Sequence, residues 1–220
     1  MHKPKKAPLI MSIALASALA SGVITAGENE FKRMHPSQSK NMVEIAQTKT
    51  TAAIADNAEK YLGIPYYFGG RDSKQNPGLD CLGLVFKSIQ DTYGKDWSQW
   101  SVMPSKLIRQ LGRGSDRTLL EDEVTRESIS LNFKRGDILF FLSPYENRDE
   151  PVRKLEYKDE RGQKKKLDLW VWHVAIYAGE GKIIHASSYD ENYTVLKEDL
   201  YEFYKRNNIS GIIAVTYGGE

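Results

Sequence analysis

The triplet Gly179-Glu180-Gly181 lies between two apolar runs, Leu169–Ala178 and Lys182–Ser187, and it leaves few folds open. Glycines on either side of one residue make a tight reversal, so the two runs must pair as an antiparallel hairpin. Only two of the four histidines, His173 and His185, lie outside the N-terminal region that holds His2 and His35. Their mean position falls at the turn itself. A hairpin folding there sets them as near-opposite neighbours on one face, with Cβ atoms about 4.5–5.5 Å apart.

The only cysteine, Cys81, follows a loop rich in glycine and proline: Tyr61-Leu62-Gly63-Ile64-Pro65-Tyr66-Tyr67-Phe68-Gly69-Gly70, then Leu79-Asp80-Cys81. The apolar run Leu84, Val85, Ile89 and the stop at Gly94 predict a helix starting near Cys81, with Asp80 as its N-cap. A thiol in the first helical turn meets unpaired N–H groups and the positive end of the dipole, which lower its pKa. Asp80 opposes that unless capping N–H groups or substrate absorb its charge. A lone cysteine is also a common small hydrophobe, so this stretch alone leaves packing and chemistry both open.

The first residues sharpen the choice. Lys3, Lys5 and Lys6 precede an apolar run from Leu9 to Ala20, and Ala18-Leu19-Ala20 gives a small-x-small cleavage pattern, with Ala26 as a second exit. Residues 1–26 are therefore expected to be an export signal rather than a lasting membrane anchor. Residues 27–51 are expected to be a flexible polar tether. No cysteine lies near the cleavage site for a lipid. An exported protein lands where disulfides are favoured, yet Cys81 has no partner in the chain. The whole chain carries 31 Lys+Arg and 29 Asp+Glu; without the three signal lysines the excess vanishes. That balance makes no electrostatic case for nucleic acid or an anionic membrane.

Residues 52–220 read as one folded domain. Helices are expected at Ala52–Leu62, from Cys81, around Ser105–Leu111, and at Glu198–Arg206. Strands are expected at Gly136–Leu142, in the hairpin, and at Ile209–Tyr217. Two stretches, about 97–132 and 143–168, stand out as insertions, the second a solvated basic segment with Lys164-Lys165-Lys166. Helices first and an antiparallel sheet afterwards predict an α+β fold.

Chemically, one thiol and two cross-strand histidines make a nucleophile, base and orienter. His173 takes the thiol proton, giving thiolate–imidazolium; His185 holds the tautomer of His173; the Cys81 N–H faces a developing oxyanion. Two blander readings stay open here: the histidines as satisfied core residues, or the three residues as zinc ligands, although no second close-spaced ligand pair appears.

Tyr61-Leu62-Gly63-Ile64-Pro65-Tyr66 with Gly69-Gly70, Asp80-Cys81-Leu82-Gly83-Leu84, Arg135-Gly136-Asp137-Ile138-Leu139-Phe140-Phe141, His173-Val174-Ala175-Ile176-Tyr177-Ala178-Gly179 and Ile183-Ile184-His185-Ala186 together resemble the NlpC/P60 papain-like cysteine peptidases. The resemblance covers about residues 52–217. It implies a papain-like α+β fold with N-terminal helices packed on a mostly antiparallel sheet. Cys81 is then the nucleophile, His173 the base and His185 the third member, with neither metal nor cofactor. Tyr66 is implied to line the site and Asp80 to read a substrate amine. The implied substrates are peptide bonds of peptidoglycan stem peptides, in the periplasm or outside the cell, with no stable membrane insertion after signal cleavage. The position after the cysteine, often a serine in relatives, is Leu82. That departure and the two insertions raise a papain-like amidase or acyltransferase on a non-wall substrate as an alternative. An inactive wall-binding module of the same fold is another, which the three filled catalytic positions argue against.

Overall fold

The computed structural model describes residues 51–75, 77–112, 114, 116–188 and 193–219. The expectations of an export segment and a tether fall outside these residues, except for residue 51. Thr51 is already helical, in α1 (residues 51–59).

The helices that follow are α2 (Cys81–Tyr93), α3 (Pro104–Gly112), α4 (Arg126–Asn132) and α5 (Leu200–Arg206). The strands are β1 (Arg117–Leu120), β2 (Ile138–Ser143), β3 (Arg153–Lys158), β4 (Lys164–Gly179), β5 (Lys182–Ala186), β6 (Val195–Asp199) and β7 (Gly211–Val215). The sheet runs β1-β7-β2-β4-β5-β6, with β3 added to the first half of β4, and each of these strand pairings is antiparallel. The fold is α+β, as the pattern of elements predicts.

Each face of the sheet has its own apolar layer. Phe140, Leu142, Val174, Ile176 and Ile184 pack with Ile54 of α1, Leu84, Val85 and Ile89 of α2, and Leu107 of α3. Leu139, Phe141, Ala175, Tyr177 and Ile183 pack on the other side with Ile129 of α4 and Leu200 and Phe203 of α5. Alternation along β2, β4 and β5 divides the side chains this way. Burying each such large side chain contributes about 1.5–3 kcal/mol.

The two insertions are more ordered than their composition implies. Residues 97–132 hold β1 and α4 besides the expected helix. The segment read as solvated polar surface is a β-hairpin, β3 paired with the first half of β4 from Arg153↔Leu169 to Lys158↔Lys164. One face of this hairpin carries a ladder of ion pairs, Lys154 with Asp168 and Lys166 with Glu156. Leu155 and Leu167 alternate with them and pack on the core.

Two further differences bear on the site. The β4–β5 register is Ile176↔Ile184 and Tyr177↔Ile183, with an irregularity between Tyr177 and Gly179. His185, one residue beyond Ile184, therefore falls level with Ala175. The two histidines are diagonal neighbours on one face, not directly opposite, because the irregular turn shifts the pairing. The expected helix at Glu198–Arg206 begins at Leu200; Glu198 belongs instead to strand β6.

Candidate active site

Helix α2 begins at Cys81 because Asp80 caps it. The Asp80 carboxylate accepts the Gly83 N–H at 2.6 Å, and Gly94 closes the far end in the left-handed conformation. The same carboxylate accepts Arg71 Nη1 at 2.7 Å and the Gly69 N–H at 3.0 Å. Arg71 also donates to the Gly70 carbonyl. Asp80 thus ties the glycine-rich loop to the helix start. Gly83 allows a close approach there: a Cβ on it would meet the Gly70 carbonyl oxygen at 2.1 Å.

Cys81 packs against the α2 side of the core and keeps part of its surface open. Backbone hydrogen bonds from Val174 and Leu82 favour its thiolate, as does the charge of Arg71. Burial of the sulfur and the charge of Asp80 outweigh them and push the thiol up to about 12. His173 is pushed the other way, well below 6.5, by burial and by the neighbouring His185. Both shifts favour the neutral forms of thiol and imidazole in the substrate-free structure.

His173 and His185 meet directly, Nε2 of the first lying 2.9 Å from Nδ1 of the second. Both rings stand against Phe203 of α5, with centroids 5.5 and 4.8 Å away. His185 Nε2 lies 2.7 Å from Glu198 Oε1. Both ring nitrogens of His185 are engaged, so neither is open to a metal. Among the described residues, no group of three or more His, Cys, Asp or Glu side chains is placed to hold one.

The histidine pair is thus assembled. Cys81 reaches the backbone of Val174, the residue after His173. Tyr66 is half-buried beside the same core; its N–H donates to the Tyr193 carbonyl at 2.5 Å. Leu82 packs on that core too. Sequence reasoning missed Arg71, Glu198 and Arg206. Arg71 had a local signal, a cation in the loop nine residues before an acid; Glu198 and Arg206 had none without the β5–β6 pairing.

No protein-family profile matches the chain. It is 29% identical over 170 residues to the gamma-DL-glutamyl hydrolase of Bacillus subtilis, covering 76% of this chain and 30% of that one. It is 29% identical over 144 residues to Protein P54 of Enterococcus faecium, covering 66% and 19%. The chain spans less than a third of the length of these curated relatives. Among solved structures it is similar to the NlpC/p60 domain of the peptidoglycan hydrolase SagA, at 25% identity and a TM-score of 0.42, covering 75% of this chain and 97% of that one. It is also similar to an NLP/P60 family protein from Staphylococcus aureus, at 24% identity and a TM-score of 0.44, covering 77% and 42%.

Proposed function

We propose that the chain is an exported NlpC/P60-type cysteine peptidase that hydrolyses peptide bonds in peptidoglycan stem peptides. The observation that carries this reading is the His173–His185 hydrogen bond in a chain that also sets a cysteine at a helix N-terminus. The order of the sequence motifs supports it, as does the similarity to a hydrolase. Because that relative is named for gamma-DL-glutamyl hydrolysis, the γ-glutamyl amide is the first bond to test.

In this reading the thiol and His173 align on the docked substrate, where catalytic hydrogen bonds tighten. His173 takes the Cys81 proton as sulfur attacks the carbonyl carbon, and the Cys81 N–H steadies the oxyanion. Collapse to the thioester sends that proton to the departing amine. Water, deprotonated by His173, then attacks the thioester; the acid leaves and the thiol regains its proton.

Digestion of purified sacculi with the wild type and Cys81→Ala, with products identified by mass, tests the proposal. Stem-peptide fragments from the wild type alone are expected. Equal release by Cys81→Ala overturns the mechanism, and acyl transfer without wall hydrolysis favours the amidase or acyltransferase reading that Leu82 raises.

A further inference from the structure

We propose that Glu198, anchored by Arg206, is a positioning residue that fixes the proton arrangement of the histidine pair. The inference rests on the hydrolase reading above and extends it beyond the three expected residues.

Glu198 Oε1 lies 2.7 Å from His185 Nε2 and 2.7 Å from Arg206 Nη2, and its Oε2 lies 2.6 Å from Arg206 Nη1. The guanidinium grips the carboxylate with two nitrogens, which sets its angle as well as its place. Burial raises the Glu198 pKa, but the hydrogen bonds from His185 and Arg206 outweigh it and hold the carboxyl below its usual range. An ionised carboxylate only accepts hydrogen bonds.

The consequence passes along the row. Glu198 can only accept, so His185 must carry a proton on Nε2. A neutral His185 then presents a lone pair at Nδ1, facing His173 Nε2 at 2.9 Å. His173 must donate there, so its own proton sits on Nε2 and its Nδ1 is bare. Nδ1 is then the atom able to accept the thiol proton. The other tautomer of His185 would set its Nε2 lone pair against the carboxylate. It would also turn the His173 acceptor toward His185 and leave no lone pair for the thiol. Phe203 confines both rings from the α5 side, and the Arg206 guanidinium lies 5.4 Å over the Phe203 ring. Helix α5 thereby supplies both the packing and the counter-charge.

The test uses the full chain, purified sacculi and nitrogen-15 NMR of the histidine rings. The wild type is expected to show protons on Nε2 of both histidines and bare Nδ1 atoms. Glu198→Ala is expected to mix the tautomers and to lower kcat at least ~10-fold with KM little changed. Glu198→Asp should recover part of the loss, and Arg206→Met should move both readouts in the same direction as Glu198→Ala. A folded Glu198→Ala with wild-type kcat or wild-type tautomers overturns the proposal. Should Glu198→Ala not fold, Arg206→Met decides by the same two readouts. If the wild type releases nothing from sacculi, the hydrolase reading fails, while the ring spectra still decide the proton arrangement.

Discussion

Arg71 Nη1 lies 2.7 Å from Asp80 Oδ1, and the two side chains are only 8% and 10% exposed. The resemblance implies that Asp80 reads a substrate amine, yet its oxygens already hold Arg71, Gly69 and Gly83. Asp80→Ala would remove a helix cap and take the charged partner from a buried guanidinium. The expected cost is about 3–5 kcal/mol, measured by urea unfolding. Asp80→Asn keeps an acceptor for the cap and should cost less. A loss below about 1 kcal/mol for Asp80→Ala would show that the pair does not hold the loop.

The raised thiol pKa predicts how Cys81 meets an alkylating agent. Without substrate, iodoacetamide should react slowly at pH 7 and faster at each step above pH 8, because only the thiolate is nucleophilic. A rate plateau below pH 6 would reveal a thiolate–imidazolium pair instead. Slow alkylation alone also fits an inactive module, and sacculus digestion separates the two.

Folding stability should fall in acid because of His173. Its folded pKa is lowered, so below about 6.5 the unfolded chain binds a proton that the native chain refuses. Stability contributed by the neutral ring is fully present above that pH and is lost progressively as pH falls from there toward the lowered folded pKa. His173→Gln should flatten the slope of unfolding free energy between pH 7 and pH 5. An unchanged slope would assign it to other groups.

Gly83→Ala tests the close approach of loop and helix. An added Cβ would fall 2.1 Å from the Gly70 carbonyl oxygen, closer than any real contact, so the loop must move. Lower thermal stability and a slower release of wall peptides are expected together. A variant with wild-type melting and activity would show that the loop yields freely.

Much of the site was legible because it is local. Asp80, Cys81 and Gly94 mark their helix through capping chemistry, and the Gly179–Gly181 turn brings His173 and His185 to one face. The register was not legible, since the irregularity at Tyr177 and Gly179 has no sequence mark. Charge hid β3, whose Lys154, Glu156 and Lys158 face outward from a hairpin. Glu198 was hidden for another reason: its role exists only once β6 pairs with β5, and a local reading makes it a helix start.

Different layers of the fold hold the two halves of the site. Cys81 is set by α2 and the apolar layer beneath it, while His173 and His185 are braced by Phe203 of α5. On the proposed reading, a partly folded chain that has docked only one of these helices would hold either the nucleophile or the base, but not both. Completion of the whole domain would then be the step that licenses the proposed chemistry.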